Sequence, residues 1–579
     1  MIPEALLQQA QRWIAHDVDE LTREELRAAV DRGDVDDLAD RLAGSLEFGT
    51  AGLRGVLGAG CNRMNRAVVI RTTAGLAAYL LAQGADAASR GVVVGYDARH
   101  MSREFAEDAA CVLAAAGVVT HLFPDRCTTP QTAFATTFLG AAAGVMVTAS
   151  HNPPEYNGYK VYSANGAQII TPQDKGIAAA IDLVAPACDV PRLALAEALD
   201  RGLVREVQND VTEQYLQQVD RLVPHRGARD AMRIVYTAMH GVGYATASAA
   251  LLRAGFDGVV PVVEQVQPDG NFPTVRFPNP EEPGAMDLSF RLAELTHADL
   301  IIANDPDADR LSIAVPKPEG GYVQLTGNQV GVLLGNYVIE SAVSPPADRL
   351  VVTTIVSSPM LGTIAAAKGI RFAETLTGFK WIANEAIALE KETGTTFVFG
   401  YEEALGYTVG TAVRDKDGVS AAAVFAHLAA HCREQGRTVL EELERLHRQY
   451  GLYLSRQCSL WLKGIDGAER IAARMAALRA EPTSVVGGLK VVAVRDYQSR
   501  QKRTADGRVE PIALPPSNVL AFDLEGGNRA IARPSGTEPK LKFYLDVREA
   551  VEVGEPMAAA VARATARLDQ LEKAFVGKA

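Results

Sequence analysis

The stretch V-M-V-T-A-S-H-N-P-P-E-Y-N-G-Y-K, residues 145–160, decides the fold. Its apolar beginning predicts a short buried strand, and the two prolines after Ser150 withhold amide protons, which predicts a stiff loop. The dipeptide Asn157-Gly158 is typical of a turn. Ser150 therefore falls where a strand ends and a rigid loop begins, beside His151 and ten residues before Lys160. The alternative interpretation is a surface turn that carries an ordinary serine.

Strands and helices alternate on both sides of this stretch, and the alternation predicts α/β domains with mainly parallel sheets. Ligands of such sheets bind at the carboxyl ends of the strands, where Ser150 lies. The alternation restarts near 206 and 326, and a different pattern with paired strands follows 451. With 579 residues, the chain is long enough for about four domains. We predict three similar mixed α/β sheet domains and a smaller C-terminal α+β domain, with boundaries at 1–205 (including a helical lead-in), 206–325, 326–450 and 451–579.

Composition and charge exclude several classes of partner. The formal net charge of -12 disfavours nucleic acid, which needs a basic face. No run of 18 apolar residues predicts a membrane span, and the N-terminus lacks the pattern of a secretion signal. The six cysteines show no C-x-x-C pair, which indicates reduced thiols. We therefore expect a cytoplasmic enzyme that binds neither nucleic acid nor a membrane.

A cluster of aspartates follows a second apolar strand, near 298–303. The segment N-D-P-D-A-D-R at 304–310 brings Asp305, Asp307 and Asp309 to one turn, and three hard oxygen donors suit Mg²⁺ or Ca²⁺. An EF-hand does not fit, because Arg310 stands where that loop needs glycine and Pro316 where it needs an acid. The alternative is an Asp-rich turn without a metal.

Three further segments carry groups that suit a phosphorylated sugar, although each alone also fits a solvated loop. The tract E-F-G-T-A-G-L-R-G at 47–55 offers Arg54 as a fork for a phosphate. Glu402 follows an apolar strand and can accept sugar hydroxyls. The segment R-P-S-G-T-E-P-K at 533–540 predicts a cradle for a second phosphate. Together with Ser150 and the aspartates, these are the groups that phosphoryl transfer needs.

A glycine-rich turn, H-G-V-G-Y at 240–244, bears on the alternative that the protein is a dinucleotide-binding enzyme. It lacks the third glycine of the dinucleotide fingerprint, so a nicotinamide enzyme is disfavoured and a turn that faces phosphate or sugar is preferred.

These motifs, in this order, resemble the α-D-phosphohexomutase superfamily, and within it the phosphoglucomutase-2/phosphopentomutase branch. The matching segments are T-A-S-H-N-P-P-E-Y-N-G-Y-K, D-P-D-A-D-R, G-Y-E-E-A-L-G-Y, R-P-S-G-T-E-P-K and, for the narrower branch, E-F-G-T-A-G-L-R-G with the helical lead-in. They span almost the whole chain. The resemblance implies four domains around a central cleft, each of which contributes one loop.

The resemblance also implies a role for each matching residue. Ser150 would carry the phosphoryl group and, through its phosphate, bind Mg²⁺ together with Asp305, Asp307 and Asp309. The other implied catalytic residues are Lys160, His151 and Arg54; the substrate-binding residues are Arg54, Arg310, Thr377, Gly378, Lys380 and Glu402; the phosphate-binding residues are Arg533, Ser535, Gly536 and Thr537.

The implied activity interconverts a sugar 1-phosphate and 6-phosphate, foremost glucose 1-phosphate and glucose 6-phosphate, through a phosphoserine and a bisphosphorylated intermediate. One Mg²⁺ per chain and a sugar bisphosphate primer are expected, in a monomer or homodimer. Many hexose mutases have serine where this chain has Ala404, which leaves room for a phosphopentomutase. Further alternatives are a glucose 1,6-bisphosphate synthase and a non-catalytic sugar-phosphate-binding protein.

Overall fold

A computed structural model of the chain describes residues 2–46, 52–84, 86–223, 232–462, 467–480, 483–535 and 540–577. The chain divides into two compact units, Met1–Leu325 with Leu405–Glu434, and Thr326–Ala404 with Gln435–Ala579. Each unit contains two of the predicted sheets. None of the helices in the described ranges combines the length and the apolar character that crossing a membrane requires.

The first unit begins with three amphipathic helices that precede the first sheet. They are α1 (Glu4–His16), α2 (Glu20–Arg32) and α3 (Val35–Leu42). Their inward faces meet in a small core that contains Ala10, Leu26 and Leu38. Asp19 caps the start of α2 by accepting the Leu21 amide, and this satisfies one of the amides that a helix start leaves open.

The first sheet has six strands in the order β1-β5-β4-β2-β3-β6. Its elements are β1 (Leu53–Val56), α4 (Arg66–Gln83), α5 (Ala87–Arg90), β2 (Val92–Tyr96), α6 (Ser102–Ala115), β3 (Thr120–Leu122), α7 (Thr129–Phe138), β4 (Ala143–Val147), β5 (Tyr156–Ser163), α8 (Gln173–Asp182), α9 (Leu195–Asp200), β6 (Val204–Glu206) and α10 (Asn209–Arg221). Strands β2, β3, β4 and β6 run parallel, and β5 is antiparallel to both β4 and β1. Every residue of β2 and β4 is buried, as apolar runs covered by helices on both faces require.

One prediction for this sheet is wrong. Asn157-Gly158 does not form a turn but lies inside strand β5. The Asn157 side-chain amide donates to the His100 carbonyl and to the Ser102 hydroxyl, both at 2.9 Å. Glycine is needed at 158 for a different reason, because a Cβ there would lie 2.6 Å from the Thr148 carbonyl oxygen. Close packing between strands therefore explains a dipeptide that local preference assigns to a turn.

The second sheet has five strands in the order β11-β10-β9-β7-β8. Its elements are β7 (Ile234–Thr237), α11 (Gly243–Arg253), β8 (Val259–Pro261), α12 (Asp287–Thr296), β9 (Leu300–Ala303), β10 (Ser312–Pro316) and β11 (Tyr322–Gln324). Strands β8, β7 and β9 are parallel, and β10 returns antiparallel beside β9. The aspartate segment forms the connection from β9 to β10.

The second unit begins with three parallel strands in the order β13-β12-β14. The elements are α13 (Gly327–Ser341), β12 (Arg349–Thr354), α14 (Met360–Lys368), β13 (Arg371–Thr375), α15 (Phe379–Thr393) and β14 (Thr396–Glu402). The next two elements, β15 (Gly406–Val409) and α16 (Gly418–Glu434), belong to the first unit. Nearly all of α16 is buried, which its Ala-rich sequence permits.

The last sheet is antiparallel, in the order β16-β23-β22-β21-β18-β19-β20 with β17 beside β18. Its elements are α17 (Val439–Tyr450), β16 (Leu452–Trp461), α18 (Gly467–Ala480), β17 (Val485–Val486), β18 (Leu489–Asp496), β19 (Gln501–Thr504), β20 (Val509–Pro511), β21 (Leu520–Leu524), β22 (Asn528–Pro534), β23 (Lys540–Glu549) and α19 (Met557–Phe575). Helix α19 packs its apolar face against the sheet. The predicted fold class, three mixed α/β sheet domains and a smaller C-terminal α+β domain, is confirmed, and the C-terminal domain is rich in β-strands. The exact domain boundaries and the central cleft stay predictions.

Candidate active site

Ser150 lies just beyond the carboxyl end of β4 and is almost fully buried. Its backbone has φ of 51°, in the left-handed region that few residues other than glycine adopt. The hydroxyl donates to Asp305 Oδ2 at 2.7 Å and lies 3.1 Å from Nδ1 of His151. The structure thus brings the predicted phosphoryl-carrying serine into direct contact with the aspartate segment.

The three aspartates Asp305, Asp307 and Asp309 are completely buried. One oxygen of each lies within 4.8 Å of the others, close enough to bind a single ion. Oδ1 of Asp307 and Oδ1 of Asp309 have no hydrogen-bond partner among the described residues. Buried carboxylate oxygens without partners are costly unless a cation binds them. The donor set therefore fits Mg²⁺, a hard ion that prefers carboxylate oxygens.

Lys160, on β5, lies between two of these carboxylates. Its Nζ is 2.8 Å from Asp307 Oδ2 and 2.9 Å from Asp309 Oδ2, and its side chain is 2% exposed. Burial acts to lower the pKa of Lys160, but Asp307 and Asp309 outweigh burial and raise that pKa above its usual value. Lys160 is therefore protonated at neutral pH, with its ammonium between Asp307 and Asp309.

The carboxyl groups of the cluster differ in proton affinity. Burial raises the pKa of Asp305 well above its usual value, and the charges of Asp307 and Asp309 raise it further. Burial also acts on Asp307, but the Lys160 ammonium and the Thr129 hydroxyl, which donates at 2.6 Å, lower its pKa below the usual range. Asp307 differs from Asp305 because it contacts the Lys160 ammonium.

Two arginines and a histidine lie beside the three aspartates. Arg54 Nη1 donates to Asn152 Oδ1 at 3.0 Å, and burial together with the charge of Arg310 lowers the pKa of Arg54 to about 10. The Arg310 amide donates to Asp305 Oδ1 at 3.0 Å. Burial, Arg310 and Arg54 hold the pKa of His151 well below its usual value, so its imidazole is neutral. Arg54 and Arg310 are half-buried and their charges act on each other, and such a pair of guanidinium groups suits an anionic ligand.

Lys416 is a component that sequence reasoning missed. Its Nζ lies 3.2 Å from Asp309 Oδ2, so Asp309 pairs with two ammonium groups. The neighbouring Asp415 accepts hydrogen bonds from the Tyr162 hydroxyl at 2.9 Å and from Gln168 at 2.7 Å. The alternation of charges in R-D-K-D at 414–417, just before a helix, was the only signal in the sequence. The site thus contains a second cation from a segment that is distant in the chain.

Glycines from two other segments allow the aspartate loop to pack closely. A Cβ on Gly241 would lie 2.3 Å from the Pro306 Cα, and a Cβ on Gly418 would lie 2.2 Å from the Arg310 carbonyl oxygen. The Val242 amide also donates to the Pro306 carbonyl at 2.9 Å. The H-G-V-G turn therefore has a structural reason for its first glycine, namely close packing against Pro306.

The remaining predicted residues lie in the second unit. Gly378, with φ of 112°, precedes α15, and Lys380 in its first turn places Nζ 5.7 Å from the ring centre of Trp381. Thr377 Oγ1 is buried and has no partner among the described residues. Glu402 is the last residue of β14 and is buried.

The phosphate-binding prediction falls on the connection between β22 and β23. Arg533 belongs to the end of β22, and the Ser535 amide donates to the Lys540 carbonyl at 2.9 Å. Gly536 and Thr537 lie outside the described residues, as do residues 47–51 of the tract at 47–55.

The two α/β sheets of the first unit thus bring together a serine hydroxyl, three carboxylates that fit a divalent cation, two lysines and two arginines. These are groups that suit phosphoryl transfer. Comparison with known proteins agrees. Profiles of the phosphoglucomutase/phosphomannomutase α/β/α domains I, II and III match residues 45–185, 213–320 and 326–450.

Full-length relatives are similar as well. A Haemophilus influenzae protein named "probable phosphomannomutase" is 43% identical over 491 residues, 84% of this chain and 93% of its own. A Schizosaccharomyces pombe "probable phosphoribomutase" is 39% identical over 93% of this chain and 92% of its own. A Staphylococcus epidermidis phosphoglucomutase is 37% identical over 87% of this chain and 91% of its own.

Among solved structures, a phosphoglucomutase/phosphomannomutase family protein from Burkholderia thailandensis has the same fold. Its TM-score is 0.63 at 22% identity, over 90% of this chain and 96% of that chain. The chain belongs to the phosphoglucomutase/phosphomannomutase family. It is accordingly an enzyme, a phosphotransferase that isomerises its substrate.

Proposed function

We propose that this phosphomutase interconverts glucose 1-phosphate and glucose 6-phosphate through a phosphoserine at position 150. The observation that carries the proposal is the 2.7 Å contact between the Ser150 hydroxyl and Asp305, inside a buried group of three carboxylates. A serine in that position can accept a phosphoryl group whose oxygens are neutralised by a cation and by Arg54.

The proposed reaction consists of two balanced transfers. The bond between phosphorus and Ser150 Oγ breaks, and a bond forms to the free hydroxyl of the sugar 1-phosphate. The proton of that hydroxyl leaves, and Ser150 Oγ is protonated; the resulting bisphosphate turns over and returns its other phosphate to Ser150. Bound Mg²⁺, held by Asp305, Asp307 and Asp309, would neutralise charge on the phosphoryl oxygens.

The proton movements require one acid and one base. Lys160 is the candidate acid by position, because its ammonium contacts Asp307 and Asp309 inside the same buried group. His151, which is neutral and 3.1 Å from Ser150 Oγ, is suited to exchange the proton of that hydroxyl. Thr377, Gly378, Lys380 and Glu402 would bind the sugar, and Arg533, Ser535, Gly536 and Thr537 the phosphate that is not transferred.

A phosphopentomutase is the second candidate, and Ala404 favours it. Many hexose mutases have a serine there to bind sugar hydroxyls, and a pentose phosphate presents fewer hydroxyls to read. The similarity to a phosphoribomutase over nearly the full length agrees with this possibility. If recognition of a hexose depends on the hydroxyl of a serine at position 404, Ala404→Ser should increase the preference for glucose 1-phosphate over ribose 1-phosphate. This preference is measured as the ratio of the two kcat/KM values.

The decisive measurement is a panel of kcat/KM values for the 1-phosphates of glucose, mannose, ribose and deoxyribose, with and without a hexose bisphosphate primer. A mutase needs the primer only in catalytic amounts, whereas a bisphosphate synthase needs a stoichiometric bisphosphoglycerate-type donor. Peptide mapping should find phosphate on Ser150. Activity without phosphate at that position, or undiminished function in Ser150→Ala, would refute the phosphoserine mechanism.

A further inference from the structure

Arg99 holds the main chain of the Ser150 loop. Its side chain is fully buried, and its terminal nitrogens donate four hydrogen bonds. The acceptors are four backbone carbonyls of one loop, those of Ser150, Asn152, Pro153 and Tyr156. Each terminal nitrogen of a guanidinium carries two protons, so these four bonds use all the terminal donors. No terminal N–H group of Arg99 is left to bind a phosphate, whereas Arg54 is the arginine proposed to bind one.

Asp97 connects Arg99 to the other side of Ser150. Its Oδ2 lies 3.4 Å from Arg99 Nε and accepts the Thr148 hydroxyl at 2.6 Å. The Thr148 hydroxyl in turn accepts the Ser150 amide at 2.9 Å. Arg99 therefore fixes the Ser150 carbonyl while Asp97 fixes its amide through Thr148. The two peptide groups that define φ and ψ of Ser150 are held by one ion pair.

Ser150 needs this restraint because its φ of 51° is disfavoured for a residue with a Cβ. If the peptide groups on either side were released, the chain could relax toward negative φ. The Oγ would then turn away from Asp305, to which it now donates at 2.7 Å. The direction of the nucleophile therefore depends on groups that never touch the substrate.

The second sheet's segment at 269–272 supports the pair from the other side. The Phe272 ring centre lies 5.0 Å from the Arg99 guanidinium carbon. Gly270 packs against the backbone at 98–100, where a Cβ would lie 2.9 Å from the Ala98 carbonyl oxygen. Asn271 hydrogen-bonds to the His100 ring at 2.9 Å. This contact couples the serine loop to the domain that carries the aspartates.

We propose that Arg99, paired with Asp97, is a positioning residue that sets the backbone of the Ser150 loop and thereby aims Ser150 Oγ at the metal-binding aspartates. The inference rests on the proposed function for its kinetic consequence only. Its structural consequence, a fixed loop at 150–156, does not depend on which sugar reacts.

The test compares Arg99→Lys with wild type. Lysine keeps the charge but lacks the planar fork, so it cannot donate to four carbonyls at once. Since misplacement of a reacting group by about 1 Å costs about 10²-fold, kcat should fall about 10²-fold while KM changes less than about threefold. Hydrogen exchange of the amides at 150–156 should become faster in the variant.

A matched control is Arg66→Lys. Arg66 makes a bidentate pair with Asp108, at 2.7 and 2.9 Å, between two helices of the same domain. This control should lower Tm and leave both kcat and exchange at 150–156 unchanged. A purely structural role for Arg99 would give the same result as the control.

The two measurements separate the two proposals. Wild-type protein that is inactive on every sugar 1-phosphate of the panel would refute the proposed function, and the exchange measurement would still decide the role of Arg99. Unchanged exchange at 150–156 in Arg99→Lys overturns the positioning role. With an active wild type, a kcat within threefold of wild type in Arg99→Lys overturns it as well.

Discussion

Replacing Lys160 with methionine tests the electrostatic account of the site most directly. Methionine has nearly the same volume, but it removes the ammonium that lies 2.8 Å and 2.9 Å from two carboxylates. Asp307 and Asp309 are fully buried, so Lys160→Met leaves them with less compensation for their charge. Breaking a buried ion pair by removing one partner costs about 3–5 kcal/mol. Lys416 still pairs with Asp309, which favours the lower end of that range.

The assay is calorimetric unfolding of the variant and wild type, first in EDTA and then in millimolar Mg²⁺. For a large domain, each kcal/mol lowers Tm by about 2 °C, so a loss of about 3 kcal/mol should make the variant unfold about 6 °C earlier in EDTA. Because the variant has one positive charge less beside the aspartates, it should bind Mg²⁺ at least about tenfold more tightly. Mg²⁺ should therefore raise Tm more in the variant than in wild type.

The control is Arg253→Met, which removes a cation that also bridges two carboxylates. Arg253 lies 2.9 Å from Glu213 and 2.6 Å from Asp220, but on the surface, where water and salt screen the pair. Its Tm should stay within about 2 °C of wild type and should show no added response to Mg²⁺. The electrostatic reasoning is refuted if Lys160→Met has the same Tm as wild-type protein in EDTA. It is also refuted if Mg²⁺ raises the Tm of Lys160→Met and of wild-type protein equally.

Three further changes have defined outcomes. Gly241→Ala puts a Cβ 2.3 Å from Pro306 Cα and should weaken Mg²⁺ binding, measured by titration calorimetry, about 10–100-fold; an unchanged Kd would contradict this. Gly158→Ala overpacks the contact with Thr148 and should destabilise the protein by about 1–3 kcal/mol, seen as a lower Tm. Burial lowers the pKa of His447 from 6.5 to about 4. The neutral imidazole therefore contributes to stability above pH 6.5, and this contribution is lost as the pH falls from 6.5 to 4. The loss amounts to about 3 kcal/mol in all. His447→Gln should therefore show a shallower fall in Tm between pH 6.5 and 4.5, and an identical slope would refute it.

Most of the local structure follows from local sequence. The apolar run before Ser150 forms strand β4, which is buried at every position. The aspartate segment follows a buried strand, β9, as its apolar run predicts. In both cases the pattern works because a strand covered by helices on both faces must be apolar throughout.

Asn157-Gly158 shows where local reasoning fails. A turn preference is an average over exposed chain, but here glycine is needed because Thr148 and β1 approach from both sides of β5. Lys416 shows a related failure: the alternating charges at 414–417 mark a polar segment but do not indicate that Lys416 reaches Asp309. Contacts between residues far apart in the chain leave no periodic trace in either segment.

The sequence by itself determined which chemical groups the protein possesses and where its buried strands end. It could do so because apolar runs, prolines and glycines influence the backbone close to their own positions. It could not determine which charges compensate each other. Only the tertiary structure decided that Lys160 and Lys416 share Asp309, and that Arg99 holds the Ser150 loop. The physical reason is that electrostatic and hydrogen-bond energies depend on distances in space, and those distances are set by how segments far apart in the chain fold together.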